Sequence, residues 1–210
     1  MKRVLTLVLA LATLLCAVAS AETYKIQRSS VMESDLTDGY FYVGFSLDAV
    51  SATDITADIY EEVCYDLVDV HNMAVGDTIE TADGDVEITS KEEDEAGYIL
   101  INGGEDQGGV TLKGFDEDNC YHSMVYDLIE KMYLGQAQLT LADNVTINIF
   151  KHDEAWSPLE GYDTVTVAAA DVAATLKDSL NGLTEELTPY EAKVQLEDGL
   201  LTEITVDYVP

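Results

Sequence analysis

Alternation of apolar and polar residues with a period of two is the feature that most restricts the fold. In residues 40–47, Phe, Val or Leu occupies every second position, and residues 55–59 repeat the pattern with Ile and Ala. This spacing is typical of a β-strand with one buried and one exposed face. The chain therefore has to form a sheet with at least one covered face.

Turn sequences separate these strands at short intervals. Between apolar runs stand Asp83-Gly84, the glycine-rich segment 102–109, Asp143-Asn144 and Asp198-Gly199. Such pairs favour tight hairpins because Asn, Asp and Gly tolerate a positive φ. The sequence predicts a mainly β protein, a small antiparallel barrel or sandwich, over residues 36–150.

Helical spacing is clear near the C-terminus, where Val172, Leu176 and Leu180 share one face. A hairpin in residues 190–208 follows. We expect a barrel-like domain over residues 22–152 and a small α+β module over residues 153–210. Residues 59–70 fit a strand or a helix, and residues 125–132 have the spacing of a helix.

The first 21 residues have the three parts of a secretory signal. Lys2 and Arg3 precede an apolar stretch over residues 4–19, and Ala19-Ser20-Ala21 supplies small residues. We expect cleavage between Ala21 and Glu22, so the product is secreted or lies at the cell exterior, without a membrane segment.

The chain is strongly acidic, with 41 Asp and Glu against 10 Lys and Arg and a net charge of −31. A surface of this sign repels phosphate backbones, which argues against nucleic acid as a partner. It attracts cations and stays soluble. The expected partner is a protein or another extracellular ligand, with cationic chemistry favoured.

Acidic oxygens cluster before the last cysteine, at Asp116, Glu117 and Asp118. Calcium takes six to eight oxygen ligands and would suit this cluster or the acidic run 92–95. Residues 116–118 are the better candidate because a disulfide at Cys120 could hold their loop rigid. They lack the spacing of an EF-hand loop, and a solvated turn is the alternative. Calcium is the only cofactor that the sequence suggests.

Cys64 and Cys120 remain once the segment containing Cys16 is removed. Two cysteines in an oxidising compartment predict one disulfide. The alternative is a nucleophilic cysteine beside His71 or His122.

Sequence motifs of common enzymes are missing, including GxSxG, SxxK, CxxC and GxxxxGK[ST]. We therefore expect a secreted, non-catalytic binding module. A calcium-stabilised extracellular module and a hydrolase using paired carboxylates are the alternatives, the last because such pairs form in space.

Two segments carry resemblances. Tyr65-Asp66, Asp69-Val70, the run 75–79 (VGDTI) and the run 101–104 (INGG) resemble exported proteins of anaerobic gut bacteria with an SH3-like or small β-barrel module. The resemblance covers residues 36–150 and implies a fold more than a function. The tail, residues 190–209, is similar to the ribbon of PepSY domains, which are associated with peptidase inhibition.

Overall fold

A computed structural model describes residues 23–28, 36–115, 119–152, 158–180 and 184–207. For residues 151–152 and 158–160 it describes the backbone alone. The predicted cleavage site, Ala21 and Glu22, and the acidic residues 116–118 lie outside the described residues.

Strands dominate the described chain. In chain order the elements are β1 (Lys25–Ile26), β2 (Gly39–Ser46), β3 (Asp54–Glu62), β4 (Cys64–Asp66), α1 (Leu67–Asn72), β5 (Thr78–Thr81), β6 (Gly84–Glu87), β7 (Lys91–Glu93), β8 (Ile99–Ile101), β9 (Val110–Gly114), β10 (Cys120–Val125), β11 (Leu128–Ile129), β12 (Lys131–His152), β13 (Pro158–Ala168), α2 (Val172–Leu180), β14 (Glu186–Leu187), β15 (Ala192–Glu197) and β16 (Leu200–Val206).

The predicted fold class is confirmed: the protein is mainly β, its sheets are largely antiparallel, and a short helix lies near the C-terminus. The described residues cluster into two compact units, one within residues 1–29 and 64–128, the other within residues 30–63 and 129–210. This division differs from the expected one at residue 152, because β15 pairs with β2 and β16 pairs with β12, two strands that precede that boundary.

Unit 1 contains two sheets. One has the order β1-β5-β6, and the other has the order β11-β10-β9-β8-β7, with β4 pairing β10. Its buried side chains include Tyr65, Ile79 and Leu112, all fully buried. The Tyr65 hydroxyl donates to the carbonyl of Glu80 at 2.8 Å, so this buried polar group is satisfied.

The glycine-rich segment forms the predicted hairpin loop between β8 and β9. Gly104 and Gly108 have φ angles of 82° and 78°, in the left-handed region that favours glycine. The amide of Gly109 donates to the carbonyl of Gly104 at 2.9 Å and closes the loop. The glycines are therefore explained by the turn.

Unit 2 is built on one seven-stranded sheet with the order β13-β12-β16-β15-β2-β14. β3 pairs with β2 along one edge and with β12 along the other, so the sheet folds back into a flattened, sandwich-like body. The predicted hairpin of β15 and β16 is confirmed. Asp198 and Gly199 turn it with φ angles of 51° and 77°.

Helix α2 packs its apolar face into the same core as the sheet of unit 2. Val172, Leu176 and Leu180 are buried together with Phe41 and Val194, as the helical spacing predicted. The C-terminal helix and hairpin are thus part of the larger sheet unit.

Two local predictions are wrong. Residues 125–132 form the end of β10, a turn, β11 and the start of β12, because Tyr126 and Asp127 adopt positive φ angles of 51° and 65° and interrupt a helix. Asp143-Asn144 do not turn the chain. They continue β12, and its register against β16 shifts between Leu141 and Thr146.

Residues 59–70, which fitted either element, contain both. β3 ends at Glu62, β4 follows, and α1 begins at Leu67 with the Asp66 carboxylate accepting from the amide of Val68 at 2.7 Å. In the part of the chain that the structure describes, no helix combines the length and apolar character needed to cross a membrane.

Candidate functional site

The structure separates the predicted site residues. Asp116, Glu117 and Asp118 lie outside the described residues, so their calcium site stays a prediction. Within the described ranges, no three His, Cys, Asp or Glu side chains are grouped as metal ligands would be.

Cys64 and Cys120 lie on the paired strands β4 and β10 of unit 1, but they are not joined in a disulfide. Cys64 is opposite His122, and Cys120 is opposite Asp66, which makes the cysteines diagonal neighbours. Diagonal Cα atoms in antiparallel strands are about 7–8 Å apart, beyond the usual reach of a disulfide. The sequence predicted the proximity but not this offset.

Of the two histidines considered as partners of a cysteine, His122 is the one in contact. The Cys120 sulfur lies 3.4 Å from its Nε2 atom. Residues i and i+2 on a strand point to the same face, so strand geometry alone brings the two side chains together. His71 instead places its Nδ1 atom 2.7 Å from the carbonyl of Leu67, one turn back in α1.

A groove on the sheet of unit 2 collects aromatic and polar side chains. It measures about 400 Å³ and is lined by Tyr40, Phe41, Tyr42, Asn148, Tyr162, Lys193, Glu203 and Thr205. This volume lies within the range of small-ligand sites. We call it the tyrosine groove.

Strand pairing places the polar residues of the tyrosine groove in one row across the sheet. Tyr42 is opposite Lys193, Lys193 is opposite Thr205, and Thr205 is opposite Asn148. Their alternate neighbours on β2, β15 and β16 point into the core, so the row faces away from it. Period-two alternation thus builds the site and the core from the same strands.

Hydrogen bonds fix the centre of the row. The Asn148 amide donates to the Thr205 hydroxyl at 3.3 Å, and that hydroxyl donates to the Glu203 carboxylate at 3.1 Å. Thr164 donates to the Asn148 carbonyl oxygen at 2.8 Å. These contacts hold a set of polar groups in place before any ligand arrives.

Tyrosine rings lie at both ends of the tyrosine groove. Tyr40 on β2 is 54% exposed, and Tyr162 on β13 is 39% exposed. The Tyr162 ring packs edge-on against Phe150, with centroids 5.5 Å apart. The two tyrosines come from β2 and β13, which are four strand positions apart in the order of the sheet.

Two lysines at the tyrosine groove each lie beside a carboxylate. The Lys131 ammonium lies 3.1 Å from the centroid of the Tyr42 ring and 2.5 Å from the Glu62 carboxylate. Lys193 lies within the groove, 3.9 Å from the Asp207 carboxylate. Glu62 therefore balances the charge of Lys131, and the charged residues that line the groove itself are Lys193 and Glu203.

The Tyr162 hydroxyl donates to the Asp207 carboxylate at 2.5 Å. This hydrogen bond, together with partial burial and the negative charge, raises the pKa of Tyr162 to about 12. The neutral phenol is favoured in the fold, so its contribution to stability is complete below pH 10 and is lost as the pH rises towards 12.

We predict that Asp207→Ala returns the pKa of Tyr162 towards 10, because both the hydrogen bond and the charge are removed. NMR of tyrosines labelled at the ring carbon that bears the hydroxyl follows this titration. The matched control is Asp143→Ala, which removes an exposed carboxylate from β12. In this variant the pKa of Tyr162 should stay near 12. An unchanged Tyr162 titration in Asp207→Ala would contradict the described contact.

Sequence reasoning missed the tyrosine groove as a site. The alternation in residues 40–47 and 192–206 indicated which side chains point outward. It did not indicate that β2, β15, β16, β12 and β13 would be neighbours. Comparison with family models, curated proteins and solved structures finds no match to this chain.

Proposed function

We propose that the protein is a secreted, non-catalytic binding module and that the tyrosine groove is its ligand site. The observation that supports this most is the pairing of exposed tyrosine rings with a fixed polar row on one sheet face. Tyr40 and Tyr162 supply the rings, and Asn148, Thr205 and Glu203 supply the polar groups.

Exposed tyrosines suit recognition because their rings offer a large contact area while few torsions are lost on binding. The hydroxyl adds a hydrogen-bonding group at the edge of each ring. A buried Thr205 at the centre of the row and half-exposed rings at its ends give the combination of apolar contact and placed polar groups that small-ligand sites share.

The predicted signal segment in residues 1–21 supports the secreted location. No cofactor is part of the proposal. Calcium at residues 116–118 stays a prediction from the sequence and forms no part of the proposal.

A thermal-shift screen with a mixed library of saccharides, short peptides and organic acids tests the proposal. A ligand that binds the folded state raises the melting temperature. We expect at least one library member to raise it for the wild type but not for the double variant Tyr40→Ala/Tyr162→Ala.

Tyr190→Ala is the matched control, since Tyr190 is 44% exposed in the same unit and does not line the groove. It should respond to ligand like the wild type. The proposal is wrong if no library member shifts the wild type, or if the shifts persist in the double variant.

A further inference from the structure

We infer that the ligand of the tyrosine groove is a neutral oligosaccharide. This inference rests on the proposed function and names the ligand class. It follows from three properties of the groove: where its hydrogen-bonding groups come from, what its charges exclude, and how its rings are placed.

The hydrogen-bonding groups that face the tyrosine groove belong to side chains. It lies on the face of a sheet, and the strands β2, β15, β16 and β12 all have sheet neighbours on both sides in the described structure. Their main-chain groups are therefore used within the sheet, and a peptide cannot add here as another strand. A ligand has to be recognised through groups such as Asn148, Glu203 and the tyrosine hydroxyls.

Charge argues against an ionic ligand of either sign. The net charge of −31 repels anions, and Glu203 lies in the groove itself. A cation would meet Lys193 inside the groove. The cationic preference expected from net charge alone therefore does not fit this face, and a neutral ligand meets neither repulsion.

A neutral ligand that uses several side-chain donors and acceptors must carry many hydroxyl groups. It must also present apolar surface to rings at both ends, Tyr40 on β2 and Tyr162 on β13. Sugar rings have both features, with hydroxyls at the rim and C–H groups on the faces. The separation of the tyrosines favours a chain of several sugar units over a monosaccharide.

Isothermal titration with neutral hexasaccharides tests the inference. The probes are the hexamers of β-1,4-glucose, xylose, mannose and N-acetylglucosamine. A hexagalacturonate and a glucosamine hexamer serve as the anionic and cationic analogues. We expect at least one neutral probe to bind, and both charged analogues to bind more weakly than it does.

Variants locate the binding. Tyr40→Ala should weaken it about tenfold through loss of ring contact, and Asn148→Ala should also weaken it by removing a polar contact. Tyr40→Phe should retain most of the affinity because the ring remains. Tyr190→Ala should bind like the wild type, and unchanged melting curves without ligand verify that each variant is folded.

The inference is overturned if no neutral hexasaccharide binds, or if Tyr40→Ala and Asn148→Ala bind as tightly as the wild type. A screen in which peptides or organic acids bind at the groove and saccharides do not overturns this inference alone. A screen without any groove ligand overturns the proposed function as well.

Discussion

Replacing Glu62 with Gln is expected to lower the free energy of unfolding by about 3 kcal/mol, since it leaves a buried ammonium without its carboxylate. The Lys131 side chain is only 7% exposed, and its ammonium lies 2.5 Å from Glu62. Urea unfolding at neutral pH measures the loss.

The matched variant, Lys131→Met, removes the charge and keeps the apolar stem. Its free energy of unfolding should differ from that of the wild type by no more than about 1 kcal/mol, because a buried ion pair is often no more stabilising than apolar packing. Equal losses in Glu62→Gln and Lys131→Met would contradict the view that the uncompensated charge is what costs stability.

The loss of unfolding free energy in Glu62→Gln should become smaller as the pH rises. Burial lowers the pKa of Lys131 below its usual 10.5, and Glu62 opposes that shift. Without Glu62 the folded-state pKa falls further. Between that value and 10.5 the unfolded chain binds more protons, so stability rises with pH. Lys131→Met lacks the titrating ammonium. Subtracting its dependence of stability on pH from that of Glu62→Gln therefore isolates the contribution of Lys131.

Replacing Leu176 with Ala should cost about 3 kcal/mol, because it leaves a cavity in the core of unit 2. Leu176 on α2 is fully buried in the cluster that holds Phe41 and Ile147. Val165→Ala, on the exposed strand β13 at 40% exposure, is the control and should change stability by less than about 0.5 kcal/mol.

The Leu176 variant also tests the division into units. If α2 shares its core with β2 and β12, hydrogen-exchange protection should fall at the amides of Val43 and Ile147 as well as in α2. Loss of protection confined to residues 172–206 would indicate that the C-terminal segment opens separately from the rest of unit 2.

Local patterns predicted what depends on neighbouring residues. The alternation in residues 40–47, the turn at Asp198-Gly199 and the apolar face of α2 each follow from a period or a backbone preference. The fold class follows from them, because enough one-sided strands have to cover each other.

Long-range pairing could not be predicted in this way. Asp143-Asn144 have the chemistry of a turn, yet they continue β12, which pairs with β3 at one end and with β13 at the other. The tyrosine groove depends on the same pairing, since it joins Tyr40, Asn148 and Tyr162 from three strands. Period alone cannot indicate which strands become neighbours.

The most direct test of the account is where ligand contacts the protein. Tyrosine rings labelled for NMR report this when a ligand from the screen is titrated. The account predicts that the Tyr40, Tyr42 and Tyr162 signals shift, while Tyr126, an 82% exposed tyrosine of unit 1, does not. Shifts at Tyr126 without shifts at Tyr40 and Tyr162 would contradict it.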